Sequence, residues 1–229
     1  MEKEKIVVLT GAGISAESGI KTFRDADGLW EGHDIMEVAS PIGFEKNPAL
    51  VLDFYNQRRR QLNEVAPNDG HTALVTLEDK YDVTIVTQNV DNLHERAGSS
   101  KIMHLHGELS KMRGVNYPNK IYDCSGDISL GDLCENGSQL RPHIVWFGED
   151  VPMIETAVAE CIQADILLII GTSMQVYPAA SLINFVPKNI PIYFIDPKPA
   201  VDQKSYQNLT VIAEKASIGV AQVVDELMS

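Results

Sequence analysis

The run Gly11-Ala12-Gly13-Ile14-Ser15-Ala16-Glu17-Ser18-Gly19 directly follows the aliphatic stretch Lys5–Thr10. It contains the form G-x-G-x-x-G/A, with Ala16 in the last place. Between a strand and a helix, such glycines let the backbone turn tightly and approach a pyrophosphate, which the N–H groups of the helix start then face. A tight turn that binds nothing has the same pattern. Two further polar segments end aliphatic runs: Thr87-Gln88-Asn89-Val90-Asp91-Asn92 and Gly171-Thr172-Ser173. The second can offer N–H and hydroxyl donors to a phosphate. In open α/β sheets ligands bind at the carboxyl ends of strands, so the three segments could line one crevice. Each alone reads equally as an ordinary polar turn. A dehydrogenase would carry an acidic residue about 20 residues after the glycines, at the end of a second strand. Here the chain runs through the polar loop Thr22 to Trp30 instead. A dinucleotide is therefore not expected to be held in the dehydrogenase manner.

Tyr55 and Arg58 stand three residues apart, on one face of the expected helix Pro48–Glu64. Such a pair can offer a hydroxyl and a guanidinium fork to one carboxylate. Taken alone, Arg58-Arg59-Arg60 reads as a solvated basic face, opposite a face carrying Leu52, Tyr55 and Leu62.

The elements that must position these residues follow from hydropathy. Lys5–Thr10, Asp82–Thr87, Asp165–Ile170 and Ile190–Ile195 read as buried parallel strands, with Lys101–Leu105 and His143–Trp146 as weaker candidates. Helical spacing covers Pro48–Glu64, Asn68–Lys80, Met153–Ala164 and Ile218–Met228. This alternation predicts an α/β fold, a Rossmann-like parallel sheet. Two stretches break it: residues 25–66 lack a second strand, and residues 110–140 are rich in Gly, Asn, Asp and Ser. They read as insertions forming a smaller lobe, leaving 1–24, 67–109 and 141–229 for the large domain.

The 229 residues carry 19 Lys plus Arg against 32 Asp plus Glu, a net charge of −13, which argues against a nucleic-acid coat. The aliphatic run Ile166–Ile170 is far short of the roughly 20 residues that span a bilayer. The Met1–Lys5 start precedes too short an apolar run for a signal peptide. Three cysteines are too few for a disulfide scaffold. A soluble, cytoplasmic chain that binds neither membrane nor nucleic acid is expected.

Taken together, several segments resemble the sirtuin family of NAD-dependent protein-lysine deacylases, in its bacterial form. They are Gly11 to Ile20, Thr22-Phe23-Arg24, Thr87 to His94, His104-Leu105-His106-Gly107-Glu108, Arg141-Pro142-His143-Ile144-Val145-Trp146-Phe147-Gly148-Glu149 and Gly171-Thr172-Ser173. They occur in the family's order and span most of the chain. The resemblance implies that NAD is consumed as a co-substrate. Gly11, Ala12, Gly13, Ser15 and Arg24 would hold the phosphates, and Phe23 would shield the reacting ribose carbon. Gln88 and Asn89 would orient the ribose and nicotinamide, and Asp91 would hold the nicotinamide amide. Gly171, Thr172 and Ser173 would serve the adenosine side, as would Asp196, where the family often has Asn, and Ala216. His106, not His104, would be the catalytic base. The acyl-lysine oxygen would attack the ribose and release nicotinamide. His106 would then take a proton relayed from the ribose 2′-hydroxyl, that oxygen would attack the amidate carbon, and water would complete release of lysine and 2′-O-acyl-ADP-ribose.

The substrate peptide would lie between Phe147-Gly148-Glu149 and Val176-Tyr177, with Val145, Trp146 and Phe147 near the lysine channel. Added-strand pairing there tolerates many sequences. Tyr55 and Arg58 match the Tyr-x-x-Arg of sirtuins that remove succinyl and malonyl groups, and Ala39 matches the small residue that leaves room for them; acetyl is also accepted by such members. The partners implied are acyl-lysine proteins or peptides. The family's paired C-x-x-C ligands are missing, since Cys124 and Cys134 are ten apart and Cys161 falls in a helix. A structural site needs four ligands, so zinc is expected to be absent. Lys21 stands where the family usually has Pro. A mono-ADP-ribosyltransferase and a silent NAD or ADP-ribose sensor are the competing readings.

Overall fold

The structure is a computed structural model and describes residues 3–21, 29–30, 32–201, 206 and 208–229. Phe23 and Arg24 lie outside the described residues. The chain begins with β1 (Lys5–Thr10), then α1 (Ala12–Ser15), a short hairpin of β2 (Leu29–Trp30) and β3 (His33–Asp34), and helices α2 (Ile35–Val38), α3 (Pro41–Lys46), α4 (Pro48–Gln61) and α5 (Asp69–Leu77). β4 (Asp82–Thr87), α6 (Leu93–Ala97) and β5 (Ile102–His104) follow. Next come β6 (Gly107–Gly114), β7 (Tyr117–Asp123) and β8 (Leu140–Ile144), then α7 (Ile154–Ile162), β9 (Ile166–Ile170), β10 (Ile192–Ile195), β11 (Leu209–Ile212) and α8 (Ala216–Met228).

Six strands form one parallel sheet in the order β11-β10-β9-β1-β4-β5. The chain order reverses between β1 and β9, and a crevice opens at the carboxyl ends of strands there. Side chains alternate across this sheet. Ile6 and Val8 enter the core beneath α5 and α8, with Leu74, Leu77 and Val220. Val7 and Leu9 enter the opposite core with Ala157 and Cys161 of α7. Burial on both faces is why these strands read as unbroken aliphatic runs.

The insertions carry more structure than their composition suggests. β6, β7 and β8 form an antiparallel sheet in the order β7-β6-β8, so strands occupy much of the first half of the polar stretch 110–140 and begin at Gly107, before it. The strand expected at His143–Trp146 belongs to this sheet and ends at Ile144. β11 has no counterpart among the expected strands; only Leu209 of it is fully buried. Burial also corrects the basic face of α4. Arg59 is buried, with Nε donating to Leu109 O at 2.6 Å and Nη1 to Asn56 Oδ1 at 2.8 Å, so the arginines do not form one solvated face. Arg60 alone fits that reading, paired outside with Asp127.

Two buried histidines link α5 and α6 to the sheet. Thr10 Oγ1 donates to Thr87 Oγ1 at 2.8 Å and lies 3.1 Å from His94 Nε2. With the threonine hydrogen spent on Thr87, His94 Nε2 must be the donor. His71 Nδ1 accepts from Asn68 N, and the two imidazoles lie 5.0 Å apart. Burial lowers His71 to about 4 and His94 to about 3. Both are therefore neutral in the fold, whereas the unfolded chain binds their protons near pH 6.5. Stability from this pair is complete above about pH 6.5 and is lost as pH falls through the folded values. Urea unfolding at pH 7, 5.5 and 4.5 is expected to show a falling midpoint; an unchanged midpoint would count against neutral burial.

Candidate active site

Three loops meet at the carboxyl ends of β1, β4 and β9. The first and third are in backbone contact: Gly11 N donates to Ile170 O at 3.0 Å and Gly13 N to Gly171 O at 2.8 Å. A Cβ on Gly13 would fall 2.5 Å from Gly171 Cα, and Gly171 sits at φ +61. Glycine is thus required here by close backbone approach, and the Gly13 amide is spent on Gly171 rather than turned to an anion. Asn68, the cap of α5, holds this loop from below: Nδ2 donates to Ile14 O at 2.8 Å and to Ser18 Oγ at 2.9 Å. Glu17 accepts from the Ser217 amide and hydroxyl, bringing the start of α8 and with it Ala216 beside the loop.

Ser15, Asn89 and Asp91 form one buried network. Ser15 Oγ donates to Asp91 Oδ2 at 3.0 Å, and Asn89 Nδ2 lies 3.2 Å from both Ser15 Oγ and Gly11 O. Asp91 Oδ1 accepts from Leu93 N at 3.1 Å. Burial raises the Asp91 carboxyl, although the Leu93 and Ser15 bonds act the other way. Gln88 Nε2 donates to Thr172 Oγ1 at 3.1 Å, joining the β4 and β9 loops. Ser173 is half-buried beside Thr172. Asp196 is buried just beyond β10, where the Gly171 amide donates to Ile195 O and the Lys198 amide to Asp196 Oδ1.

The two histidines beyond β5 differ in what they leave free. His104 Nδ1 lies 3.0 Å from Asn89 O, and its Nε2 lies 2.7 Å from Glu95 Oε1. Burial alone would lower His104, yet the Glu95 bond and charge raise it overall. Both its nitrogens are engaged. His106 Nδ1 lies 3.1 Å from Gln88 O, where it must carry the hydrogen because a carbonyl only accepts. Its Nε2 has no partner among the described residues and keeps a lone pair for a proton. Burial lowers the His106 pKa, and the Gln88 bond partly offsets this, so the ring is neutral at neutral pH.

A second group of expected site residues lies on α4 and in the turn after β8. Tyr55 is fully buried, and its hydroxyl accepts from Trp146 Nε1 at 3.0 Å. Burial, against the opposing Trp146 bond, raises its pKa and keeps it protonated. The Arg58 guanidinium lies 3.9 Å over the Phe54 ring, and its Nη1 donates to Phe54 O at 2.8 Å. Ala39 is buried at the end of α2, and its carbonyl accepts from Phe147 N at 2.9 Å. The Val145 amide donates to His106 O, so the segment after β8 lies beside His106. Phe147, Val176 and Tyr177 are exposed. Gly148 N has no acceptor among the described residues. The Glu149 carboxylate turns inward, onto Arg141 and Arg113.

Reading the sequence missed Asn68, Glu17 and Arg141 as supports of the site. Asn68 carries one signal, a capping residue just ahead of a helix; Arg141 stood in a matching motif with no role. The three cysteines are free and buried, and Cys124 Sγ donates to Gly126 O. Glu95, His104 and Glu108 bring ligand atoms within 4.8 Å of one another, but His104 is paired with Glu95 and Glu108 with Lys111.

The chain is similar to known proteins over nearly its whole length. A relative from Helicobacter pylori, named NAD-dependent protein deacylase, is 60% identical over 98% of this chain and 98% of its own. One of the same name from Bacteroides thetaiotaomicron is 54% identical over 96% of both chains. A solved Sir2 homologue in complex with NAD superposes with a TM-score of 0.87 at 37% identity, covering 99% of this chain and 90% of that one. A Sir2 protein bound to an acetylated peptide gives 0.82 at 28% identity over 99% and 94%. The sequence profile of the Sir2 family matches residues 11–178, and the chain belongs to that family.

Proposed function

We propose that this chain removes acyl groups from protein lysines at the expense of NAD, and that succinyl and malonyl groups are among them. The observation that carries the reaction is His106. It is a neutral imidazole fixed by Gln88 O through one nitrogen and open at the other, next to the Ser15–Asn89–Asp91 network. That donor and acceptor set fits a dinucleotide: amide and hydroxyl groups for the ribose and nicotinamide, and glycine loops in close contact at the switch point. NAD, when bound, supplies an electrophilic ribose carbon and carries off the acyl group. Asn89, Gln88 and Asp91 orient the sugar and the carboxamide; the bonds of Asn89 and Asp91 to Ser15, and of Gln88 to Thr172, fix them before the ligand arrives. Thr172, Ser173, Asp196 and Ala216 hold the adenosine side. His106 Nε2 accepts the proton of the ribose hydroxyl.

Acyl preference rests on Tyr55 and Arg58. The Tyr55 hydroxyl accepts from Trp146, and its own hydrogen has no acceptor among the described residues. Arg58 supplies a fixed positive charge that acts on Tyr55. A carboxylate at the end of the acyl chain would accept from the Tyr55 hydroxyl and lie beside the Arg58 charge, and Ala39 leaves room there. The peptide pairs with the exposed edge at Phe147 and Gly148 and with Val176-Tyr177. The three buried free thiols fit a reducing compartment, which supports a cytoplasmic placement. Among the described residues no helix is long and apolar enough to cross a membrane.

The test is a panel of one peptide carrying acetyl, malonyl or succinyl lysine, assayed with NAD. All three are expected to be deacylated, with lower KM for the acidic groups. Activity on acetyl alone would leave the deacylase reading standing and remove the acidic preference.

A further inference from the structure

The turn after β8 is held by an unusual number of bonds for an exposed segment. The Glu149 amide donates to Trp146 O at 2.9 Å, and the Glu149 carboxylate accepts from Trp146 N at 2.9 Å, so one residue closes the turn from both ends. Gly148, the third position of this turn, sits at φ +91, as a glycine can. Glu149 Oε1 accepts from Arg141 Nη1 at 2.6 Å, and Oε2 from Arg141 Nη2 at 3.1 Å and Arg113 Nη2 at 3.2 Å. Arg141 is buried, donates to Ile144 O at 2.8 Å, and lies 3.2 Å from the centre of the Trp146 ring. The Trp146 indole in turn donates to Tyr55.

We propose that Glu149 is a positioning residue for the acyl-peptide substrate: clasped by Arg141 and Arg113, it locks the turn whose outer edge, Phe147 and Gly148, pairs with the peptide. The proposal rests on the deacylase reading above. A bidentate guanidinium–carboxylate pair fixes direction as well as distance, which a lone hydrogen bond does not. Because Arg141 stacks on Trp146, the same clasp sets the indole that faces Tyr55. The peptide edge and the acyl channel are thereby held as one unit. The cofactor network is built from Ser15, Asn89 and Asp91 and shares no bond with the clasp. Loosening the clasp should therefore weaken peptide binding and spare the nucleotide.

The experiment compares the wild-type chain with Glu149→Gln, an isostere that keeps the shape and loses the charge. Binding of a fluorescein-labelled acetyl-lysine peptide is followed by anisotropy in the presence of ADP-ribose, and ADP-ribose binding by calorimetry. Peptide affinity is expected to fall about tenfold, while ADP-ribose affinity stays within twofold. In turnover assays peptide KM rises about tenfold and kcat changes less than threefold. Peptide affinity within twofold of wild type overturns the proposal. An equal loss of ADP-ribose affinity also overturns it, because that is the mark of general structural damage. If Glu149→Gln cannot be recovered folded, Arg113→Met decides: it removes the outer brace alone and should weaken peptide binding about threefold, and no change overturns the proposal. A wild-type chain that binds no acyl peptide refutes the deacylase reading itself, and the proposal with it.

Discussion

Replacing His106 with phenylalanine lowers kcat for peptide deacylation by about 10²–10⁴-fold, the range of a positioned general base. The fold should tolerate the change, because the half-buried ring makes one side-chain hydrogen bond, to Gln88 O. ADP-ribose affinity should hold, since the proposed ribose and nicotinamide contacts are those of Gln88, Asn89 and Asp91. The wild-type pH profile carries the same information. Burial, partly offset by Gln88, lowers the His106 pKa, so the active neutral form prevails at neutral pH. Activity should rise with pH along a limb whose midpoint lies below the ordinary histidine value of about 6.5, and then level off. A limb centred above that value would mean that another group accepts the proton.

The second large effect concerns acyl choice. Arg58→Met is expected to raise KM for a succinyl-lysine peptide by about 10–100-fold, as loss of a charge-assisted bond of roughly 1.5–3 kcal/mol requires. The acetyl peptide should change less than threefold. Arg58→Lys should not restore the succinyl activity, since an ammonium lacks the planar fork. Tyr55→Phe is a less clean probe. It also strips the buried Trp146 indole of its acceptor, and leaving a buried donor unmatched costs about 1–3 kcal/mol of stability. Its succinyl defect is therefore expected together with a lower Tm. Equal losses on both peptides after Arg58→Met would show that the residue supports α4, through its contacts with Phe54, and does not select the acyl group.

The parallel sheet was legible because both of its faces are covered. β1, β4 and β9 are buried almost throughout, so hydropathy alone marks them. β11 escaped notice because it lies at the edge of the sheet, with only Leu209 fully buried. The strands of the small sheet escaped for a related reason: β7 is exposed along most of its length and its alternation is weak. The site residues were legible as segments in a recurring order, not as chemistry. Nothing in the spacing of His104 and His106 distinguishes them, and the difference lies in Glu95 of α6 and Gln88 of the loop after β4. Arg59 shows the same limit. In the sequence it is the middle of three arginines, and only the positions of Leu109 and Asn56 turn it inward. Glu149 reads as part of a peptide-binding strand, and its carboxylate is withdrawn by Arg141, eight residues earlier on β8.

Deacylation at the expense of NAD releases one nicotinamide for each acyl group taken from a lysine. The most direct measurement is the stoichiometry of one reaction: wild-type protein, NAD and a succinyl-lysine peptide, with nicotinamide, free-lysine peptide and the nucleotide product measured together by mass spectrometry. One nicotinamide for each deacylated peptide, with the succinyl group recovered on ADP-ribose, is the predicted result. Nicotinamide release without peptide deacylation, with ADP-ribose attached to protein, or no release of either product, would contradict it.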